Sequence, residues 1–237
     1  MVSKQKIIEQ YGVASNGLHR DNSEIFLRME SEEKLFHLGS GESIFDFGCG
    51  SADLLVYYAP HFKALLGVDL SDNMIRLAQE RIDRFSVKNV EVYQGDEVSS
   101  WERCNNRQFD VVTSAGVVQY LTEKQLTEFL HQATSHLEND GRIVLFDILD
   151  PRTYRLMKFG LYLENPMNLR DYARACVSSA RVLVKSTLTK LGLREDMTGY
   201  THHPGRVTQI CKTLNLNVSL VRSMYYDYRY HAIISKS

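Results

Sequence analysis

The sequence has little of what usually marks a specialised chain. Cysteine and proline number four each in 237 residues, and there is one tryptophan. Cys49, Cys104, Cys176 and Cys211 are widely spaced, with no Cys-x-x-Cys pair and no histidine at zinc-ligand spacing, so they read as reduced, structural thiols. Neither sign of charge dominates: 28 Lys and Arg against 29 Asp and Glu leave a formal charge of −1. That balance argues against a chain devoted to neutralising nucleic-acid phosphates. No apolar run approaches the ~20 residues that span a bilayer. The opening MVSKQKIIEQYG is broken by Lys, Gln and Glu, unlike a secretory leader. The expectation is a cytoplasmic protein with neither a nucleic-acid nor a membrane partner, monomeric or homodimeric.

What is present is an ordinary globular composition, 43% hydrophobic and 24% charged, long enough for one domain with a complete core. Residues 1–40 read as a helical cap, with Ile7, Ile8 and Tyr11 on one face, then Phe26, Met29, Leu35 and Leu38. Over 41–150, short apolar runs (SIFDF, ALLGV, VEVY, FDVVTS, RIVLFDI) alternate with amphipathic segments, as buried parallel strands alternate with helices. Ser71 is placed to cap a helix through Met74, Ala78, Ile82 and Phe85, and Thr122 with Gln125 forms a candidate capping box. Residues 151–200 read as a helical insertion, a lid over the sheet. Residues 201–237 hold a last helix and two β-rich runs around Tyr226-Asp227, an antiparallel hairpin. The fold class is therefore α/β, a doubly wound, mostly parallel seven-stranded sheet with an antiparallel C-terminal hairpin.

The stretch richest in chemistry is Asp46-Phe47-Gly48-Cys49-Gly50-Ser51-Ala52-Asp53, a strand entering a glycine turn before a helix. Glycines there let a ligand approach the backbone, and the helix start offers free N–H groups. A dinucleotide fingerprint wants Gly or Ala where Asp53 stands, and a diphosphate beside that carboxylate meets like charge. A cationic sulfonium or ammonium ligand does not.

With Asp46-Phe47-Gly48-Cys49-Gly50 after the first strand and Gly67-Val68-Asp69-Leu70-Ser71 after the second, residues 43–148 resemble the core of class I S-adenosylmethionine-dependent methyltransferases. The resemblance implies S-adenosylmethionine as cofactor and S-adenosylhomocysteine as product, with Asp46, Gly48, Cys49 and Gly50 of the glycine turn among the cofactor-binding residues. It places Asp69 on the ribose hydroxyls, with Leu70 beside it. Asp96 of Gly95-Asp96-Glu97 falls on the adenine amino group with Glu97 adjacent, and Met74 on the adenine face. Ala115 and Gln119 fall at the methionine end, and Tyr11 closes over the cofactor. Gln119 and Tyr120 stand where many relatives carry histidine, and Asn139-Asp140-Gly141-Arg142 matches the turn before the fifth strand. The chain lacks the Asn/Asp-Pro-Pro-Tyr/Phe motif of base-modifying relatives. It also has Ser114-Ala115-Gly116 where metal-dependent relatives carry an acid, and Asp147 with Asp150 makes a poor divalent site, so no metal is expected.

Methyl transfer is an in-line displacement, so alignment and exclusion of water dominate. An acceptor hydroxyl or ammonium must also lose a proton, and His202 and His203 are the candidate bases. Tyr120, Tyr154, Tyr162 and Tyr200, with Tyr172, are candidates to line the pocket of a small-molecule acceptor methylated at oxygen or nitrogen. Two alternatives stand beside the enzyme: a non-catalytic binding subunit on the same fold, and a nicotinamide-dependent dehydrogenase. Retention of Gly48, Gly50 and Asp69 favours catalysis.

Overall fold

The computed structural model of the chain describes residues 3–12, 24–104, 107–159, 169–190 and 199–237. Seven strands form one sheet: β1 (Ser43–Phe47), β2 (Ala64–Asp69), β3 (Val90–Gln94), β4 (Phe109–Ala115), β5 (Leu137–Leu149), β6 (Leu216–Arg222) and β7 (Arg229–Lys236). Their order is β3-β2-β1-β4-β5-β7-β6. The first five are parallel, and β7 runs antiparallel between β5 and β6. The apolar runs become central strands because both faces are covered, one buried cluster lying on each side of the sheet. Chain order reverses between β1 and β4, and the crevice at the carboxyl ends of those strands is where open α/β sheets take ligands.

Nine α-helices lie among the described residues: α1 (Lys4–Gly12), α2 (Glu24–Leu38), α3 (Asp53–Tyr58), α4 (Asp72–Arg84), α5 (Ser99–Cys104), α6 (Glu123–Ser135), α7 (Pro151–Lys158), α8 (Leu169–Lys190) and α9 (Pro204–Thr213). The caps fall where the sequence places them. Ser71 Oγ accepts the Met74 N–H at 3.4 Å, and Thr122 and Gln125 form a reciprocal capping box ahead of α6. On α6, Leu126, Phe129, Leu130 and Ala133 are buried, and Phe129 packs against Trp101 of α5 with ring centroids 5.5 Å apart.

Two expectations need correction. The Asn139-Asp140-Gly141 turn lies inside β5, which pairs Leu137 with Phe109 and Arg142 with Val111. The surplus residues form an irregularity in which glycine fits most easily at 141, where a Cβ would stand 3.0 Å from the Phe109 and Asp110 carbonyl oxygens. On α2 the apolar face is not the buried one. Met29 and Phe36 are exposed, whereas Glu30, Ser31, Glu33 and Lys34 are buried with Leu38. The buried partners of those charges come from β5 and β7, which local periodicity cannot reveal.

Candidate active site

At the switch between β1 and β4 lies a cavity of about 320 Å³, within the ~300–1,000 Å³ typical of small-molecule sites. Its near end is built from the turns that leave β1, β2, β3 and β4. Gly48 and Gly50 take φ of 78° and 55°, left-handed values that a side chain resists. A Cβ on Gly48 would stand 2.3 Å from Val117 Cγ2, so the Val117 side chain of the turn after β4 packs directly on the glycine backbone of the turn after β1. Gly116, at φ 70°, is the opposite case: a Cβ there would meet nothing within 4 Å.

Asp69 closes this end. Its carboxylate accepts the Gly50 and Ser71 N–H groups, both at 2.9 Å, which joins the β2 terminus to the glycine turn. Burial raises its pKa, and those two backbone donors oppose the rise. Asp46, just behind the turn, is 2% exposed, and its Oδ1 has no hydrogen-bond partner among the described residues. Burial, then the charge of Asp69, push its pKa up to about 7. Asp96 and Glu97 line the cavity, but Lys4 reaches down from α1 to both at 2.9 Å. Asp96 also takes the Ser99 and Val98 N–H groups ahead of α5, and these bonds with Lys4 hold its carboxyl well below the ordinary range. A second strap fastens α1: Tyr11 OH lies 3.3 Å from Tyr120 OH, and Asn73 donates to the Tyr11 carbonyl at 2.8 Å.

Of the residues the sequence nominates, Tyr11, Gly48, Gly50, Asp69, Leu70 and Asp96 line this one cavity, and so do Glu97, Ala115, Gln119 and Tyr120. Asp46, Cys49 and Met74 do not line it. Cys49 packs beneath the turn against Gly67, where a Cβ would come within 2.9 Å of its sulfur. Burial raises its thiol pKa well above the ordinary value. Met74 is a core residue at the start of α4, 1% exposed. Asp53 points away from the cavity: it pairs with Arg81 of α4 at 2.5 Å and accepts from the Ser51 hydroxyl. The like-charge argument against a diphosphate therefore loses its main support at Asp53, although the acids that do line the cavity keep its near end anionic.

The histidines fall outside the cavity wall. His202 is 3% exposed, and its Nε2 lies 3.1 Å from both the Val118 and the Leu121 carbonyl oxygens. Nε2 must carry the proton to serve them, and burial lowers the pKa of the ring. His202 thus fastens the turn after β4. Gly199 and Tyr200 brace the same turn, with the Tyr200 N–H on the Gln119 carbonyl at 2.6 Å. His203 caps α9, its Nδ1 accepting the Gly205 N–H at 3.1 Å. Tyr154 does not line the cavity but packs on Tyr228, which does, at 5.9 Å between centroids. Tyr162 lies outside the described residues, and Tyr172 falls on α8.

The far end of the cavity contains residues that the sequence does not single out: Glu30, Lys34, Asp147, Tyr226, Tyr228 and Arg229. Lys34 is 1% exposed and bridges Glu30 at 2.6 Å and Asp147 at 3.0 Å. An i,i+4 Glu–Lys pair on a helix ordinarily reads as a solvated surface pair. The signal that would separate this one, the facing Asp147, lies on another element. Asp147 sits at φ 61° in the irregular part of β5, next to the Ala115–Phe146 pairing.

Residues 45–143 match a family described as a methyltransferase domain. Among curated proteins, a probable S-adenosylmethionine-dependent methyltransferase of Saccharomyces cerevisiae is 27% identical over 53% of this chain and 42% of its own length. A probable cobalt-precorrin-6B C(15)-methyltransferase (decarboxylating) of Methanococcus vannielii is 32% identical over 50% of this chain and 66% of its own. The chain thus spans less than half of the first relative. Among solved structures, magnesium protoporphyrin IX methyltransferase from Synechocystis with bound S-adenosylmethionine superposes with a TM-score of 0.60 at 13% identity, covering 100% of this chain and 99% of that one. That likeness is one of fold.

Proposed function

We propose that this chain, whose residues 45–143 form a methyltransferase domain of class I fold, is an S-adenosylmethionine-dependent methyltransferase acting on oxygen or nitrogen of a small-molecule acceptor. The observation that carries the reading is the Gly48–Gly50 turn tied to Asp69 at the near end of the cavity between β1 and β4.

Three features support the fit of that cofactor. The Oδ1 of the buried Asp46 carboxyl has no partner among the described residues, and it suits a cationic ligand nearby. Gly116 leaves open the space that any side chain would fill. The near wall is acidic, with Asp69, Asp96 and Glu97, which favours a sulfonium over a diphosphate. Gly48 and Gly50 would hold it by backbone approach, Asp69 by the ribose hydroxyls, and Leu70 and Ala115 by packing. When bound, the cofactor supplies an electrophilic methyl group. Asp96 would meet an adenine amino group through a carboxylate already shared with Lys4, so α1 and the cofactor compete for it.

The protein's own task is alignment. The turn after β4 places Gln119 and Tyr120 on the cavity wall, and His202 holds that turn by two carbonyls. Tyr11 from α1 meets Tyr120 and covers this side against water. A proton leaving the acceptor has the Asp147 carboxylate as the cavity acid at the end of β5. His202, with its Nε2–H spent on carbonyls, is not placed to accept it. Calorimetry with S-adenosylmethionine and S-adenosylhomocysteine tests the reading: micromolar to millimolar binding of both is expected, and absence of either overturns it. NADH binding in their place would return the dehydrogenase alternative.

A further inference from the structure

The two cations at the far end of the cavity are treated differently. Lys34 is neutralised by two carboxylates. Arg229 lines the same wall, yet it has no acidic partner among the described residues. Its one hydrogen bond there runs from Nη1 to the Asp147 carbonyl oxygen at 2.9 Å. Nε is buried without an acceptor. The guanidinium lies 5.6 Å from the Tyr226 ring centroid and 5.5 Å from that of Tyr228, which fix its plane without supplying an oxygen.

We propose that Arg229 binds an oxyanion of the methyl acceptor, a carboxylate or a phosphate, so that the substrate class is an anionic small molecule. The proposal rests on the methyltransferase reading for the word acceptor, but its anion site stands on the geometry of Arg229. A guanidinium has five N–H donors in a planar fork, suited to two oxygens of one anion, and protein atoms here satisfy one of them. Buried donors are ordinarily paired, and one left unpaired is costly, so a ligand that brings acceptors gains more than a neutral one of equal shape.

The position is also right for an acceptor. Arg229 pairs across the sheet with Leu149 and reaches back to the carbonyl of Asp147, the residue after Phe146, whose own carbonyl takes the Gly116 N–H at 3.1 Å. The anion would therefore rest at the carboxyl ends of β4 and β5, on the side of the cavity away from Asp69 and Asp96. The Asp147 carboxylate does not block it, since that group faces Lys34 and only its backbone oxygen meets Arg229.

The test titrates benzoate, the neutral isostere benzamide, and inorganic phosphate into the protein with and without S-adenosylhomocysteine, followed by calorimetry. Benzoate or phosphate should bind in the millimolar range, and whichever binds more tightly identifies the class of anion. Benzamide should bind more weakly than benzoate. Arg229→Met should weaken anion binding by about 10- to 100-fold, the loss expected for a charge-assisted hydrogen-bonded contact, with S-adenosylhomocysteine affinity unchanged. Arg229→Lys, which keeps the charge but not the fork, should lose less and guards against misfolding of the methionine variant. The proposal is overturned if neither anion binds the wild-type protein, if benzamide matches benzoate, or if a folded Arg229→Met retains the anion. Failure of S-adenosylhomocysteine alone would instead count against the methyltransferase reading, because the anion titrations are read without it as well.

Discussion

The contact between Gly48 and Val117 gives the most quantitative handle on the site. Gly48→Ala places a methyl group 2.3 Å from Val117 Cγ2, and it does so at φ 78°. Holding a non-glycine residue in that left-handed region costs ~1–2 kcal/mol, and overpacking a filled site costs a further ~1–3 kcal/mol. The single variant should therefore lose ~2–5 kcal/mol of unfolding free energy. Val117→Ala alone removes two methyl groups from a half-buried position and should cost ~1–2 kcal/mol. The double variant relieves the clash but not the backbone strain, so the two losses should not add. The cycle should show a favourable coupling of ~1–3 kcal/mol, inside the range seen for residues in contact. Urea denaturation of the four proteins, with equal slopes, measures it. A cycle that closes within ~0.5 kcal/mol would show that the two turns do not touch, and the cavity floor derived from their contact would have to be abandoned.

Other outcomes follow from the same geometry. Asp69→Asn keeps the shape of a carboxylate that holds two backbone N–H groups but removes its charge, and S-adenosylhomocysteine should bind ~10- to 100-fold more weakly by calorimetry. Equal affinity would remove Asp69 from the site. Asp46 has a folded-state pKa of about 7 against 3.8 unfolded, so between those values the folded state binds the extra proton and stability falls as pH rises. Asp46→Asn should flatten that fall between about pH 4 and 7 in thermal scans, and an unchanged pH profile would refute burial as the cause. His202→Ala leaves two buried carbonyls short of their donor and should cost ~2–4 kcal/mol of stability, whereas His203→Ala loses a cap worth ~0.5–1 kcal/mol. A His203→Ala enzyme that stays folded but loses turnover ~100-fold would restore the acid–base role expected from the sequence.

The sequence is most legible where structure is local. Strands β1 to β4, the Ser71 and Thr122 caps and the terminal hairpin follow from periodicity and capping chemistry, which act over a few residues. The cavity's near end is legible for the same reason, because Gly48, Gly50, Asp69 and Asp96 each stand at the end of a strand that announces itself. The misses have physical causes as well. Cys49 and Met74 occupy positions the family resemblance assigns to the ligand, yet an apolar side chain next to a turn can equally face the core, and here both do. His202 and His203 carry the right chemistry for a base, but a histidine in a loop between packed elements is as readily consumed by backbone groups, as both of these are.

The far end was illegible because one residue there gathers partners from across the chain. Asp147 gives its N–H to His231 Nδ1 at 3.1 Å, its carbonyl to Arg229 at 2.9 Å and its carboxylate to Lys34 at 3.0 Å. Because His231 Nδ1 accepts that N–H, the proton of the ring sits on Nε2, which meets Glu33 at 3.1 Å. Burial alone would raise the Glu33 pKa, but the bonds from His231 and the Met224 N–H bring it below the ordinary value. Strand β5 is thereby bolted to α2 and β7 through side chains separated by up to 198 positions in the chain. The left-handed backbone at Asp147 is what makes all three bonds available at once, since a regular strand would turn its N–H and carbonyl into the ladder. The irregularity that breaks the β5–β7 pairing therefore leaves Arg229 held by a single carbonyl, in the place where an acceptor would have to bring its charge.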